Sequence, residues 1–219
     1  FENCYYYLME LSNSSILLSQ GLALPVMEEF YSIQGEGMNT GKAAYFLRIG
    51  GCDVGCNWCD VKDSWNAELY PPVPVENIIG NVVHCPAKSV VVTGGEPLTF
   101  NLDHLCAELR KNNIAIFLET SGSQNFSGEW DWICLSPKIQ TPPFDIFYTK
   151  ADELKVIIQD ESDFIWAEKN ADLISKEAFL LLQPEWSKRK EMIPVIVDYI
   201  LRNPKWQISL QTHKYLNIP

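Results

Sequence analysis

The chain has 219 residues, which fits one globular domain with a sizeable core. Its net charge of −11 argues against a large phosphate-binding surface, so we expect no nucleic-acid partner. The seven cysteines are an odd number, and three of them cluster at residues 52–59, which predicts a reduced, cytoplasmic enzyme rather than a disulfide-linked scaffold.

Residues 1–25 are predicted to form a peripheral N-terminal extension, and residues 26–219 a single domain. The extension has an apolar stretch at residues 16–18, but no Lys or Arg precedes Lys42, so it lacks the basic start of a signal peptide. The stretch is also too short to cross a bilayer, and we expect no membrane association. Translation from upstream of a start near Met27 and a genuine N-terminal helix both fit this pattern.

The rest of the chain alternates short apolar strands with helices. Strands are predicted at residues 45–49, 89–93, 114–118, 132–135, 154–158, 179–182 and 207–210, and helices at 74–82, 102–112 and 186–201. Buried strands that alternate with helices pair in parallel through right-handed crossovers. A full eight-unit barrel needs about 250 residues, so the predicted α/β fold is a partial, open (β/α) barrel.

Polar motifs follow these predicted strands at their carboxyl ends, which is where ligands bind in parallel sheets. A cysteine-rich loop follows the first strand, Gly94-Gly95-Glu96-Pro97 the second and Glu119-Thr120-Ser121-Gly122 the third. Ser136-Pro137-Lys138 and Gln183-Pro184 follow later strands. The recurrence predicts one site that is built from many loops.

The cysteine-rich loop carries Cys52, Cys56 and Cys59 at C-x3-C-x2-C spacing. Three thiolates can hold three irons of a 4Fe–4S cluster and leave the fourth iron open. A structural zinc site is the alternative, but such sites usually close with a fourth ligand, and the sequence has neither a second close cysteine pair nor paired histidines. The pattern favours an open cluster and leaves a non-catalytic zinc-binding module as an alternative.

Together these motifs resemble the radical S-adenosylmethionine (radical SAM) superfamily, which implies that residues 26–219 form a radical SAM domain. The resemblance implies that the open iron binds SAM and that one-electron cleavage gives a 5′-deoxyadenosyl radical. Without the resemblance, a solvated surface position explains Lys138 equally well. The implied SAM-binding residues are Trp58, Asp60, Gly94, Gly95, Glu96, Glu119, Ser121, Ser136, Lys138 and Gln183.

The motif Gln34-Gly35-Glu36-Gly37 is by itself only a glycine turn. With the Gln-Thr-His-Lys-Tyr-Leu-Asn-Ile-Pro tail at residues 211–219, it resembles the 7-carboxy-7-deazaguanine synthase family of queuosine and deazapurine biosynthesis. The resemblance covers residues 26–219 and implies that the radical takes hydrogen from C6 of 6-carboxy-5,6,7,8-tetrahydropterin. Ring contraction and loss of ammonia then give 7-carboxy-7-deazaguanine. An activating enzyme for a glycyl-radical protein shares the cysteine spacing and is the alternative.

The same resemblance implies a substrate site and two kinds of partner. Arg48 can hold a substrate carboxylate through its paired donors, and the amide of Gln34 can bind a pterin edge. Pro219, if it is the native terminus, would fold its carboxylate over the substrate. The expected partners are a second copy of the chain in a homodimer and a reductant such as flavodoxin. The implied substrate-binding residues are Ile33, Gln34, Gly35, Glu36, Arg48, Thr93, His213 and Pro219.

Val61 departs from the family pattern, in which a threonine at this place binds a magnesium ion that touches the substrate. An isopropyl group offers magnesium no oxygen ligand. Asp63 and Ser64 are candidate substitutes, and a site completed by substrate and water, or a reaction without the metal, are further alternatives. The sequence leaves the magnesium requirement open.

Overall fold

The computed structural model describes residues 15–219, and the first 14 residues of the predicted extension lie outside that range. Within it, one sheet contains nine strands. They are β1 (Ala23–Ile33), β2 (Ala43–Ile49), β3 (Pro72–Pro74), β4 (Ser89–Gly94), β5 (Ala115–Thr120), β6 (Trp132–Leu135), β7 (Glu153–Ile158), β8 (Phe179–Pro184) and β9 (Trp206–Ile208). Residues 15–19 are helical, and the α-helices after them are α1 (Val75–Val82), α2 (Asp103–Lys111), α3 (Asp145–Lys150), α4 (Asp163–Ala171), α5 (Arg189–Arg202) and α6 (Thr212–Leu216).

The sheet has the order β3-β1-β2-β4-β5-β6-β7-β8-β9 and therefore does not close on itself. β1 runs antiparallel to β2 and β3, and all the pairs from β2–β4 to β8–β9 are parallel. This arrangement is the predicted α/β fold, a partial, open (β/α) barrel. The seven predicted strands are all present, with ends that differ from the prediction by no more than two residues.

Alternation along the strands separates a helix-covered core from the concave face of the sheet. In β2, Leu47 and Ile49 are fully buried in the main core, whereas Phe46 and Arg48 face the other way, where Phe30 stacks on Phe46 with 5.0 Å between ring centroids. The same rule places polar side chains of several strands on one face. The residues that share it are Phe46 and Arg48 of β2, Val91 and Thr93 of β4, Glu119 of β5, Lys155 and Ile157 of β7 and Gln183 of β8.

The helices cover the opposite face and complete the main core. Leu105 and Leu109 of α2 are both fully buried in that core, one helical turn apart. Burying a leucine side chain stabilises the fold by roughly 1.5–3 kcal/mol. No helix within residues 15–219 is long and apolar enough to cross a membrane.

β1 was not predicted, and its first residues overlap the predicted extension. Ala23 and Leu24 are buried and pair with β3, so residues 23–25 are part of the sheet. A register shift between Val26 and Glu28 interrupts the alternation of β1, which removes the pattern that identifies a strand. The helices α3, α4 and α6 were also missed, and α3 and α6 are too short to show a helical period.

Candidate active site

A cavity of about 490 Å³ lies against the carboxyl ends of the parallel strands. This volume is within the range of small-molecule sites. All the residues proposed from the sequence as cluster, cofactor or substrate ligands line it. They are Cys52, Cys56, Cys59, Trp58, Asp60, Gly94, Gly95, Glu96, Glu119, Ser121, Ser136, Lys138, Gln183, Ile33, Gln34, Gly35, Glu36, Arg48, Thr93, His213 and Pro219.

The three clustered cysteines are free thiols on one wall of this cavity. The loop is fixed at its start by a hydrogen bond from the Gly51 amide to the Ser64 carbonyl, 2.6 Å long. Burial raises the pKa of Cys52 to about 11 and also raises that of Cys56, so the metal itself must favour the thiolates. Three free thiols that line one cavity fit a cluster with three protein ligands. The other described cysteines, which lie outside this cavity, are Cys85, Cys106 and Cys134.

The paired glycines after β4 allow that strand to approach the cysteine loop. A Cβ on Gly94 would lie 2.0 Å from the Ile49 carbonyl oxygen, and one on Gly95 would lie 2.4 Å from that of Gly51. Gly94 also has φ of +139°, which side chains disfavour. The Glu96 amide then donates to the Gly51 carbonyl at 2.9 Å. Any larger residue at either glycine would push the cofactor-side loop away from the cysteines.

Glu96 is 1% exposed, and its carboxylate holds the turn that follows β5. It accepts from the Thr120 hydroxyl at 2.6 Å, the Ser121 amide at 2.8 Å and the Ser121 hydroxyl at 2.5 Å. The Leu98 amide is the fourth donor, at 3.2 Å. These bonds occupy the roughly four acceptor positions of a carboxylate. Binding of a cofactor amino group by Glu96 therefore requires one of the two hydroxyls to rotate away.

Lys138 is partly buried and is not a solvated surface lysine. Its ammonium donates to the Ser136 carbonyl at 2.5 Å and to the Ser136 hydroxyl at 2.8 Å, and it lies 5.5 Å from the centre of the Trp58 ring. Burial lowers the pKa of Lys138, and within residues 15–219 it has no carboxylate partner. A cation in such a place is suited to bind an anionic group in the cavity.

Lys155 joins two acidic side chains on the floor of the cavity. Its ammonium is 2.6 Å from a Glu36 carboxylate oxygen and 2.9 Å from one of Glu119. Glu36 also accepts from the side-chain amides of Gln183 at 3.0 Å and Gln211 at 2.9 Å. Burial opposes the charge of Glu36, but Lys155 and these amides outweigh it and lower the pKa to about 2. The site therefore contains an ionised carboxylate with three donors, which leaves about one acceptor position open.

Lys155, Gln211 and Lys214 were not among the site residues predicted from the sequence, although all three line the cavity. The signal for Lys155 was a single charged residue at an alternate position of an otherwise apolar strand, Leu-Lys-Val. No local signal marked Gln211 or Lys214 apart from the tail motif. The positions of Gln211 and Lys214 depend on how the tail packs against the carboxyl ends of the strands.

Arg48 has one of its donors already engaged. Its Nε lies 2.6 Å from a carboxylate oxygen of Glu28 on the neighbouring strand, an ion pair that orients the guanidinium. Arg48 stands beside Thr93 in the register of β2 and β4. Nearby, the Gln34 side-chain amide donates to Glu119 at 3.2 Å. The terminal nitrogens of Arg48 make no hydrogen bond within residues 15–219, so they are free for a ligand.

The tail that includes α6 packs over the turn that follows β1. The Gly35 carbonyl accepts from the Thr212 amide at 2.8 Å, and a Cβ on Gly35 would lie 2.3 Å from Nδ1 of His213. Burial lowers the pKa of His213, so its imidazole is neutral at neutral pH. The Ser32 hydroxyl donates to the Pro219 carbonyl at 3.3 Å. These contacts close one side of the cavity.

The oxygen-bearing side chains nearest to Val61 in the sequence are Asp60, Asp63 and Ser64. Ser64 is fully buried and its hydroxyl donates to the Val61 carbonyl at 2.6 Å. Asp63 is exposed and does not line the cavity, and the Asp60 carboxylate is paired with Lys214 at 2.5 Å. Of the two residues proposed from the sequence as substitute ligands, Asp63 lies outside the cavity, whereas Ser64 lines it with a fully buried hydroxyl.

Comparison with known proteins agrees with the fold and the site. Residues 47–133 match the model of the Radical SAM superfamily. The open barrel and the three cysteines at its strand ends define a radical SAM enzyme, a class that uses a 4Fe–4S cluster and SAM.

The individual relatives narrow the assignment. The chain is 57% identical over 204 residues to a 7-carboxy-7-deazaguanine synthase of Flavobacterium psychrophilum, covering 93% of this chain and 97% of the relative. It is 31% identical to that of Escherichia coli, covering 89% of this chain and 98% of the relative. The crystal structure of QueE from Escherichia coli superposes with a TM-score of 0.77 at 25% identity, covering 89% of this chain and 96% of that chain. The chain belongs to the 7-carboxy-7-deazaguanine synthase family.

Proposed function

We propose that this chain is a lyase that converts 6-carboxy-5,6,7,8-tetrahydropterin to 7-carboxy-7-deazaguanine with loss of ammonia, in 7-deazapurine and queuosine biosynthesis. One observation carries the proposal: a single cavity is lined by the free cysteine triad and by Arg48, Gln34 and His213. A cavity partly covered by the chain's own tail suits a small heterocycle better than the backbone of a partner protein, the alternative for a glycyl-radical activating enzyme. Family membership gives the same preference.

The cofactor half of the site is proposed to hold the cluster through Cys52, Cys56 and Cys59. The cluster and SAM supply a 5′-deoxyadenosyl radical when bound. Lys138 has an ammonium without an acidic partner in the described structure, so it is suited to the SAM carboxylate. Glu96 holds the Thr120–Ser121 turn against the cysteine loop and thereby fixes the wall on which SAM is proposed to lie. The remaining SAM-binding residues proposed from the sequence line the same wall.

The substrate half is proposed to bind the tetrahydropterin at both of its ends. Arg48 offers its terminal nitrogens to the substrate carboxylate, while Glu28 holds the guanidinium in place through Nε. The carboxylate of Glu36 and the amide of Gln34 supply acceptors and donors for the ring edge. An ionised Glu36 suits an edge that donates protons.

The apolar side of the cavity and the tail are proposed to exclude water and to orient the substrate ring. Phe30, Phe46 and Val91 form an apolar side that can lie against the ring, and His213 of the tail faces the cavity in its neutral form. Exclusion of water protects a reactive radical from side reactions. The tail is therefore proposed to act as the cover of the substrate.

We also propose a homodimer and an electron-donor partner such as flavodoxin, both by analogy with the family. The described cysteines are all free thiols, which supports a reducing, cytoplasmic environment. Light scattering that gives a monomer mass would reject the dimer. Turnover that depends on a reduced flavodoxin in place of a chemical reductant would support that class of partner.

The test of the function is a single-product assay. The protein is reconstituted with iron and sulfide without oxygen, then incubated with SAM, the tetrahydropterin and a chemical reductant. We expect mass spectrometry to detect 7-carboxy-7-deazaguanine, and the Cys52→Ala variant to produce none. Cleavage of SAM with no deazaguanine would reject the proposal. A colourless zinc protein would indicate the zinc-binding module instead.

A further inference from the structure

Lys155 connects the two halves of the site. It is on the concave face of β7, its side chain is 5% exposed, and its ammonium reaches both Glu36 and Glu119. Glu36 follows β1 and belongs to the proposed substrate half, whereas Glu119 ends β5 and belongs to the proposed SAM half. Within residues 15–219, no other side chain donates to both carboxylates.

Each carboxylate accepts further hydrogen bonds from side chains that line the cavity. Glu36 accepts from Gln211, the first residue of the tail, and from Gln183 near the end of β8. Glu119 accepts from Gln34 at 3.2 Å. A displacement of either carboxylate therefore moves groups that line the cavity, and Lys155 is the only described side chain that donates to both carboxylates.

The ion pairs of Lys155 with Glu36 and Glu119 are strong because all three groups are charged in a largely buried place. Burial works against an ammonium, but the acidic side chains that face it raise the pKa of Lys155 well above its usual value, so it stays charged. Without that charge, two neighbouring carboxylates would face each other in a site with little water and would repel. The side chains that face Lys155 are Cys134, Glu36, Glu119 and Glu153.

We propose that Lys155 is a positioning residue that couples the binding of SAM to the binding of the tetrahydropterin, an inference that rests on the proposed function. Lys155 holds Glu36 and Glu119 in one arrangement, so that the first ligand to bind orders the carboxylate used by the second. Binding coupling is reciprocal, so each ligand tightens the other by the same factor.

The experiment measures this factor directly. The dissociation constant of SAM is determined for the cluster-loaded protein with and without the tetrahydropterin, in the absence of reductant so that no turnover occurs. For the wild type we expect the tetrahydropterin to tighten SAM by about tenfold, within the usual range of coupling between sites. Lys155→Met should bring the factor to about one, and Lys155→Arg, which keeps the charge, should retain part of it.

Val156→Ala is the matched control. Val156 neighbours Lys155 on β7 but is buried on the helix-covered face, so its truncation destabilises the core without touching the carboxylates. A purely structural role for Lys155 predicts that both variants lower the melting temperature and keep the coupling. Only the positioning role predicts that Lys155→Met loses the coupling while Val156→Ala keeps it.

If Lys155→Met does not fold or does not hold its cluster, the measurement is made on the double variant Lys155→Met, Glu36→Gln. The double variant removes one of the repelling charges and should restore folding, and its coupling factor is compared with that of Glu36→Gln alone, which keeps Lys155 paired with Glu119 and should retain more of the coupling. The inference is overturned if the tetrahydropterin tightens SAM binding by the same factor in the wild type and in a folded Lys155→Met variant. A wild type that binds no tetrahydropterin rejects the proposed function itself, and the inference falls with it.

Discussion

The ammonium of Lys214 lies 2.5 Å from the carboxylate of Asp60 and joins the tail to the cysteine loop. Lys214 also donates to Gln211 at 3.1 Å and lies 5.0 Å from the centre of the Trp186 ring. Asp60 directly follows Cys59, so the loop that is proposed to hold the cluster touches the segment that is proposed to cover the substrate. Closure of the cover and the position of the loop are therefore linked.

Lys214→Ala should weaken the cover without unfolding the protein. A partly exposed ion pair contributes only about 0–1 kcal/mol to stability, so the melting temperature should change little. We expect the KM for the tetrahydropterin to rise severalfold and more SAM to be cleaved per deazaguanine formed. Lys176→Ala, at an exposed lysine outside the cavity, is the control. Equal KM values for the two variants would contradict the role of the pair.

Cys52→Ala should remove the cluster, because two remaining thiolates cannot hold the three irons that the site is proposed to bind. Cys85→Ala is the control, since Cys85 is a free cysteine outside the cavity. The measurements are iron per chain and visible absorption after reconstitution without oxygen. We expect loss of both in Cys52→Ala and wild-type values in Cys85→Ala. A full cluster signal in a triple variant at residues 52, 56 and 59 would sink the ligand assignment.

Much of the site could be predicted because each local motif ends a strand. Thr93 and Glu119 lie at carboxyl ends of neighbouring parallel strands, so topology alone brings them together. Contacts between distant segments could not be predicted in this way. The pairing of Lys214 with Asp60 depends on the path of the tail, and the pairing of Lys155 with Glu36 depends on the path of β1.

Three further features of the structure were not evident from the sequence. The resemblance placed Glu96 among the SAM-binding residues, but the structure shows that neighbouring hydroxyls already occupy its oxygens, which no spacing rule reveals. β1 escaped prediction because its register shift breaks the two-residue period. From the sequence, Lys138 was equally consistent with a surface lysine and with a lysine of the site. Its packing beside Trp58 distinguishes these alternatives.

Gly35→Ala should displace the tail. The added Cβ would lie 2.3 Å from Nδ1 of His213, closer than two such atoms can approach, so α6 must move. We expect the KM for the tetrahydropterin to rise by about tenfold, as loss of about 1.4 kcal/mol of binding implies, with the cluster intact. Gly80→Ala is the matched control, because a Cβ there has nothing within 4 Å and favours the helix. A KM for Gly35→Ala that equals that of Gly80→Ala would argue against the cover.

Arg48→Lys should weaken substrate binding and leave SAM cleavage in the absence of substrate intact. An ammonium cannot hold Glu28 through one nitrogen and a carboxylate through two others, as the guanidinium can. Leaving a buried carboxylate without its partner costs roughly 2–5 kcal/mol, so the KM should rise strongly. Glu28→Gln keeps the guanidinium and should have a smaller effect. Unchanged substrate affinity in Arg48→Lys would remove this residue from the site.

Magnesium should affect this protein only weakly, because Val61 replaces the threonine that the family pattern provides and offers no lone pair. The structure strengthens this expectation, since the Ser64 hydroxyl is buried and donates to the Val61 carbonyl, and Asp63 lies outside the cavity. Val61→Thr restores the hydroxyl and should increase the response to magnesium, whereas Val61→Ala, which also lacks a ligand, should not.

The measurement is turnover of the wild type, Val61→Thr and Val61→Ala with and without added magnesium, after chelation and at fixed iron content. We expect the wild type and Val61→Ala to keep most of their activity without the metal, because Val61 is only partly buried and its truncation leaves the ligand set unchanged. Val61→Thr should gain activity when magnesium returns. A wild type that falls to background after chelation and recovers fully with magnesium would show that another oxygen ligand has replaced the threonine. Asp60 is the side chain to test in that event, since its carboxylate lines the cavity and would need only to release Lys214.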